Sequence, residues 1–153
     1  MIKVRILYVS IEGNTRNFIQ RLKSFFKNYH DNYTVEGKEI SDETEPKEEK
    51  IPFFIDVPTY LEGGTGTGPR VKEIFTNSLS EYLDYQKNYQ KLIGIFGSGN
   101  QNFNVQFTLT AKRYAKKFNS PLLYKYEMLG TKKDVQKVGH IIVKYFSNLK
   151  TNK

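Results

Sequence analysis

The chain has 153 residues, a net charge of +8, 38% hydrophobic and 14% aromatic residues, and no cysteine. This length and composition indicate one globular domain with a real hydrophobic core, and they exclude a chain that is disordered throughout. The lack of cysteine excludes disulfides, thiolate nucleophiles and iron–sulfur sites.

The N-terminal segment MIKVRILYVS has charges inside its apolar run, which is typical neither of a signal peptide nor of a membrane span. We therefore expect a cytoplasmic protein with no membrane partner. The positive charge leaves two interpretations open, an anionic partner or a lysine-rich solvated surface. The basic residues are scattered and no nucleic-acid-reading motif is present, so we expect no nucleic-acid partner.

The hydrophobic pattern predicts strands and helices that alternate along the chain. In chain order the predicted elements are a strand at 2–10, a helix at 15–29, a weaker strand at 33–40, an exposed charged connection at 41–50, a strand at 51–59, a glycine-rich loop at 60–70, a helix at 71–85, a strand at 91–97, a polar loop at 98–104, a helix at 107–118, a strand at 121–129 and a helix at 131–149. This order predicts an α/β fold, a five-stranded parallel sheet with helices on both faces, in a single domain over residues 1–153. The crossover helix that would fill the charged connection is expected to be short or missing.

Three polar loops that contain glycine follow the first, third and fourth predicted strands, at residues 10–15, 59–68 and 97–104. In a parallel sheet of this kind, ligands bind outside the carboxyl ends of the strands, where the strand order reverses. Because all three loops leave the strands at that edge, we expect them to form one site.

The first loop, SIEGNT, has the chemistry of a phosphate site. A strand-to-helix turn presents unpaired backbone N–H groups and the positive end of the helix dipole, and Ser10, Asn14 and Thr15 add hydroxyl and amide donors. Gly13 lets the backbone approach a ligand closely. No Walker A or dinucleotide motif is present. The alternative interpretation is an ordinary helix N-cap made by Asn14 or Thr15.

The other two loops could surround a flat ring. The second carries the aromatic residue Tyr60 before a series of glycines, although it could also be no more than a mobile loop. The third offers hydroxyl and amide groups and the ring of Phe103. A heteroaromatic ring with polar edges and one phosphate would fit the three loops. The residues concerned are Tyr60, Gly63, Gly64, Gly66, Gly68, Ser98, Asn100, Asn102, Phe103 and Asn104.

Three segments, PTYLEGGTGTG, GIFGSGNQNFN and FNSPLLYKYEMLGTKKDV, together with the S-x-x-G-N-T loop, resemble the NrdI family of flavodoxin-like proteins. The resemblance covers nearly the whole chain. A GSGNxNF loop followed by P-x-L-x-x-x-E-x-x-G-T-x-x-D is a specific combination, whereas GNT alone is not.

The resemblance implies a flavoprotein that binds FMN and serves class Ib ribonucleotide reductase. Its reduced flavin would react with molecular oxygen and supply superoxide or peroxide to the NrdF subunit, activating the radical cofactor there; the reductant of the flavin is unknown. The Gly63–Gly64 peptide is expected to respond to the redox state of the flavin. The predicted cofactor-binding residues are Ser10, Glu12, Gly13, Asn14, Thr15, Thr59, Tyr60, Leu61, Gly63, Gly64, Ser98, Gly99, Asn100, Asn102 and Phe103.

The chain also departs from ordinary flavodoxins. Glu12 would repel a phosphate if it pointed inward, so we expect it to face solvent. The chain has no tryptophan, so Tyr60 or Phe103 must stack on the ring. Arg16 and Arg70 lie beside the ligand loops and are candidates for steering an acidic partner.

Two other functions remain open at this point. One is a general flavodoxin that shuttles single electrons between oxidoreductases, and the other is a flavin-free module that binds a phosphate or a nucleotide. His30 and His140 are isolated, so no metal site is expected. Asp56 lies within the third predicted strand; it could be buried, but we expect it to line a polar strand end.

Overall fold

The alternation of strands and helices is realised in the computed structural model, which describes residues 1–62, 72–74, 77–100 and 108–151. Its elements are β1 (Ile2–Tyr8), α1 (Asn14–Tyr29), β2 (Tyr33–Glu39), β3 (Phe53–Pro58), β4 (Tyr60–Glu62), β5 (Lys72–Ile74), α2 (Asn77–Asp84), a 3₁₀ segment (Tyr85–Lys91), β6 (Leu92–Gly99), α3 (Leu109–Phe118), β7 (Leu122–Glu127) and α4 (Lys132–Thr151). Five strands form one parallel sheet in the order β2-β1-β3-β6-β7. The predicted flavodoxin-like α/β fold is therefore confirmed.

Each face of the sheet has its own hydrophobic core. Helices α1 and α4 pack on one face, where Phe18, Leu22 and Phe26 recur every four residues and are almost completely buried. Helices α2 and α3 pack on the other face through residues such as Leu83 and Tyr114. Each such side chain contributes about 1.5–3 kcal/mol by leaving water. None of the helices in the described ranges is both long and apolar enough to span a bilayer.

Close packing brings α3 directly against β6. A methyl group on Gly97 would collide with the side chain of Ala111, which is completely buried in α3. The sequence pattern placed Gly97 both at the end of the predicted strand at 91–97 and at the start of the third loop. The residue lies within β6, where its small size sets the distance between helix and sheet. Helix α3 consequently begins close to the carboxyl edge of the sheet, beside the predicted site.

The helix predicted at 71–85 is wrong in its first part. Lys72–Ile74 is a strand, β5, and it pairs antiparallel with β4, so that Tyr60 lies opposite Ile74. The apolar spacing that suggested a helix is overridden because the two arms of the glycine-rich segment satisfy their backbone hydrogen bonds by pairing with each other. Helix α2 begins only at Asn77.

The charged connection between β2 and β3 contains no helix, as predicted, and most of its residues are exposed. Glu49 is the exception, with only 4% of its surface exposed. Its carboxylate accepts hydrogen bonds from Arg5 Nε (2.7 Å) and from the hydroxyl of Tyr82 (2.7 Å). Burial opposes ionisation of Glu49, but the bonds from Arg5 and Tyr82 outweigh it and lower the pKa.

A second buried carboxylate lies inside the core near the carboxyl edge. Asp56, on β3, is 1% exposed, and both its carboxylate oxygens lie within hydrogen-bond distance of the Tyr126 hydroxyl on β7 (2.9 and 2.8 Å). The Tyr126 ring stacks on Phe18 of α1 at a centroid distance of 4.2 Å. The expectation that Asp56 lines a polar strand end is thus wrong, because the Tyr126 hydroxyl provides a buried partner for it.

The Asp56–Tyr126 pair predicts an unusual dependence of stability on pH. Burial raises the pKa of Asp56 from 3.8 to about 7, although the Tyr126 hydrogen bond opposes the rise. The folded chain therefore holds a proton that the unfolded chain releases near pH 4, and this stabilisation is lost as the pH rises through about 7. Relative to the Asp56→Asn variant, the wild-type free energy of unfolding should fall by up to about 4 kcal/mol between pH 4 and pH 8.

Urea unfolding at several pH values measures this difference. Glu127→Gln, which removes an exposed carboxylate from β7, the strand that carries Tyr126, is the matched control and should follow the wild-type curve. Parallel wild-type and Asp56→Asn curves over this range would show that Asp56 is ionised in the folded chain throughout.

Candidate functional site

The three polar loops begin side by side at the carboxyl edge of the sheet. Strands β1, β3 and β6 are neighbours, and backbone hydrogen bonds continue just beyond their ends. The N–H of Val9 donates to the carbonyl of Asp56 (3.3 Å), and the N–H of Thr59 donates to the carbonyl of Ser98 (2.9 Å). The starting points of the three loops therefore lie side by side, and the joining of the loops into one ligand site stays a prediction.

The first loop turns sharply into α1 through Gly13. This residue has φ +91°, a left-handed conformation that side-chain-bearing residues rarely adopt, and it occupies the N-cap position. Neither Asn14 nor Thr15 is the N-cap, so that alternative interpretation is wrong. Instead, the Ser10 hydroxyl oxygen accepts the backbone N–H of Arg16 (3.2 Å), which satisfies one of the unpaired donors of the first helical turn.

Thr15 provides the test of whether this loop fits a phosphate. The residue is 1% exposed, and its buried Oγ1 has no hydrogen-bond partner among the described residues. An unpaired buried hydroxyl lowers the stability of the folded chain by about 1–3 kcal/mol. A phosphate oxygen that accepts a hydrogen bond from it would remove this penalty. The hydroxyl lies in the first turn of a 16-residue helix, where backbone N–H groups and the helix dipole also favour an anion. The loop therefore fits a phosphate monoester.

Two charged residues, Glu12 and Arg16, lie beside this loop, and only one of them is free of an ion pair among the described residues. Glu12 is exposed, as predicted. Arg16, however, forms a bidentate ion pair with Glu39 at the end of β2, with Nε–Oε1 and Nη2–Oε2 distances of 2.7 and 2.9 Å. The hydrogen bonds that Arg16 donates to the Glu39 carboxylate raise the pKa of Arg16 above its ordinary value. The proposed role of Arg16 in steering a partner stays a prediction. Its guanidinium is already paired with Glu39 in the structure.

The second and third loops begin on residues that the fold itself uses. The Thr59 hydroxyl oxygen accepts the backbone N–H of Thr110 (2.9 Å) and so supports the start of α3. Ser98 is 2% exposed and lies opposite Tyr126 in the pairing of β6 with β7, while Gly99 is buried at the end of β6. The structure thus places Thr59 and Ser98 beneath the edge, where they anchor the loops.

Several predicted site residues are described only in part or not at all. Tyr60 and Leu61 begin β4, and Asn100 follows β6 and is half-buried. The remaining predicted residues Gly63, Gly64, Asn102 and Phe103, together with Arg70, lie outside the described residues. Their assignment to a ligand stays a prediction.

A fourth segment, the turn between β7 and α4, also lies at this edge, and the sequence analysis did not predict it. The Met128 N–H donates to the carbonyl of Gly99 (2.8 Å), which joins this turn to the start of the third loop. Arg21 of α1 donates to the carbonyls of Leu129 and Gly130 on the same turn. The only sequence signal was the G-T-x-x-D pattern at its end, where Asp134 accepts the N–H of Thr131 (2.7 Å) at the start of α4.

Comparison with known proteins assigns this architecture to a family. Residues 6–140 match the model of the family described as NrdI flavodoxin-like. A putative NrdI-like protein of Streptococcus pyogenes is 38% identical over 99% of this chain and 95% of its own length. Protein NrdI of Mesoplasma florum is 32% identical over 94% of this chain and 87% of its own length.

Solved flavodoxins share the fold. A short-chain flavodoxin associated with a bacterial microcompartment matches with a TM-score of 0.55 and 17% identity over 92% of this chain and 93% of its own. Oxidised flavodoxin 2 of Bacillus cereus matches with a TM-score of 0.53 and 17% identity over 95% of this chain and 99% of its own. The fold, the phosphate-compatible loop and the family match over most of the chain lead to one conclusion: the chain belongs to the NrdI flavodoxin-like family.

Proposed function

We propose that this protein binds FMN at the carboxyl edge of its sheet and activates the NrdF subunit of class Ib ribonucleotide reductase. Membership of the NrdI flavodoxin-like family implies a flavin cofactor and an association with ribonucleotide reductase. The choice of FMN, the NrdF partner and the expected cytoplasmic location are parts of the proposal. The observation that carries the choice of a flavin phosphate is the buried Thr15 hydroxyl of the first loop, which has no hydrogen-bond partner in the part of the chain that the structure describes.

The first loop would hold the phosphate of the cofactor. The Thr15 hydroxyl would donate a hydrogen bond to a phosphate oxygen, and the N–H groups at the start of α1 would provide further donors. The turn requires glycine at position 13 because of its φ of +91°; space is available there, since among the described residues a methyl group would meet Arg16 Nη1 alone, at 3.8 Å. Ser10 already accepts the N–H of Arg16, so its role is to order the loop, and its hydroxyl proton remains available to an oxygen acceptor.

The second and third loops would flank the flavin ring. They leave adjacent strands, and the Thr59–Ser98 backbone hydrogen bond joins their starting points. We assign the two sides of the ring to the remaining predicted residues: Tyr60, Leu61, Gly63 and Gly64 on one side, and Gly99, Asn100, Asn102 and Phe103 on the other. The support for this assignment is the strand order together with the family match.

The bound cofactor, once reduced by an electron donor that is not identified, would react with molecular oxygen to yield superoxide or peroxide for the partner. The chain's own part is to bind the cofactor phosphate, orient the ring at the open edge of the sheet and leave that edge accessible to NrdF.

The test is reduction of the flavin-loaded protein without oxygen, followed by exposure to air in the presence of metal-loaded NrdF. We expect a radical on NrdF, detected by electron paramagnetic resonance, and no radical when free FMN or an ordinary flavodoxin replaces this protein. A protein that reduces other oxidoreductases but never yields the radical would be a general flavodoxin. A purified protein that binds no flavin would contradict the whole proposal.

The Thr15→Val variant should weaken FMN binding without lowering the free energy of unfolding of the protein. Valine has the same shape but no hydroxyl, so FMN affinity should fall by about 1.5–3 kcal/mol, while riboflavin affinity should not change. The flavin-free variant should unfold at the same free energy as wild type or a higher one, because an unpaired buried hydroxyl has been removed.

Flavin fluorescence titration and urea unfolding measure these two quantities. Thr34→Val, on the exposed side of β2, is the matched control and should leave FMN affinity unchanged. An unchanged FMN affinity for Thr15→Val would remove the first loop from the cofactor site.

The Gly64→Ala variant should change the flavin potential. A reduced flavin presents an N–H where the oxidised ring has an acceptor. A flexible glycine peptide can rotate so that its carbonyl accepts a hydrogen bond from this N–H. If that state needs a positive φ at Gly64, alanine disfavours it by about 1 kcal/mol, which is about 40 mV for a one-electron couple. Spectroelectrochemistry measures the shift, with Gly68→Ala as the control in the same segment. Wild-type potentials for both Gly63→Ala and Gly64→Ala would exclude this role.

A further inference from the structure

The side chain of Arg16 stands against the first loop. Its Nη1 lies 3.8 Å from the position that a methyl group on Gly13 would occupy, so a full positive charge lies next to the turn. Its backbone N–H is bonded to Ser10 Oγ, which fixes the start of the side chain relative to the same loop. The guanidinium is about half exposed and can therefore adjust its position.

Glu39 determines the orientation of the Arg16 guanidinium. It engages Nε and Nη2 of Arg16, which leaves the Nη1 side of the guanidinium facing Gly13. The carboxylate also interacts with the hydroxyl of Tyr8 at the end of β1, and burial together with Glu39 raises the pKa of that phenol. Glu39 thus bonds to Arg16 and also lies near the last residue of the strand that leads into the loop.

The net charge beside the loop depends on this pair. The first turn of α1 contains no acidic residue, and Glu12 is exposed. The guanidinium attracts an anion at the loop, whereas the Glu39 carboxylate repels the same anion and competes with it for the N–H donors of Arg16. Removing one member of the pair therefore changes the local field in one direction, and removing the other changes it in the opposite direction.

We propose that the Arg16–Glu39 pair tunes the affinity of the first loop for the phosphate of the flavin, with Arg16 strengthening and Glu39 weakening the preference for FMN over riboflavin. The inference rests on the proposed function, since it assumes that the flavin phosphate lies at this loop. Both residues act as specificity determinants through charge, and neither is catalytic.

The experiment is titration of FMN and of riboflavin into the full chain, at low and at high salt. For Arg16→Gln we expect FMN to bind about tenfold more weakly, because an unpaired Glu39 carboxylate then faces the phosphate. For Glu39→Gln we expect FMN to bind about threefold more tightly, because the guanidinium is released toward the loop. Riboflavin affinity should be the same in all three proteins, and both FMN effects should shrink as salt screens the charges.

Matched controls change the net charge by the same amount elsewhere. Lys3→Gln removes a cation that pairs with Glu36, and Glu48→Gln removes an anion that pairs with Lys50; both should bind FMN as wild type does. A damaged fold would weaken both flavins and could not produce the tighter binding of Glu39→Gln.

Three results would overturn the inference: the two variants shifting FMN affinity in the same direction, riboflavin shifting as much as FMN, or the controls matching the variants. If the wild-type chain binds no FMN at all, the proposed function fails first, and that result is distinct from these three.

Discussion

The parallel pairing of β1, β3 and β6 is the constraint on which the rest of the molecule depends. In a parallel sheet every strand ends at the same edge, so the segments after these three strands must start together. Backbone bonds beyond the strand ends, from Val9 to Asp56 and from Thr59 to Ser98, hold the starting points of the loops in register. The candidate site is therefore a consequence of strand order more than of any one motif.

The polar groups beneath that edge are paired within the protein. Tyr126 of β7 bonds to Asp56 of β3 through its hydroxyl and rests on Phe18 of α1, so one side chain links two strands and a helix below the loops. Thr59 similarly supports the start of α3. The buried hydroxyl of Thr15 differs from these groups because the described ranges provide no acceptor for it, and such a donor is costly unless a ligand supplies one.

The missing crossover helix has a polar replacement. The connection between β2 and β3 covers part of the sheet through Glu49, which is bonded to Arg5 of β1 and to Tyr82 of α2. A buried carboxylate in such a network is tolerated only when its partners are in place, and loss of Arg5 alone would leave an unpaired charge in the core. Seven charges in ten residues indicated exposure, and the composition of the segment could not identify the single residue that faces inward.

The sequence by itself determined the class of fold, the order of the main elements and the edge at which the candidate site lies. Hydrophobic periodicity decides these features locally, and the polar glycine-containing loops after three strands are local as well. Tertiary structure alone decided the pairing of β4 with β5, the burial of Glu49 and Asp56, and the ion pair between Arg16 and Glu39. Each of these joins residues that are distant in sequence, and their energies depend on desolvation and on partners brought together only when the sheet is formed.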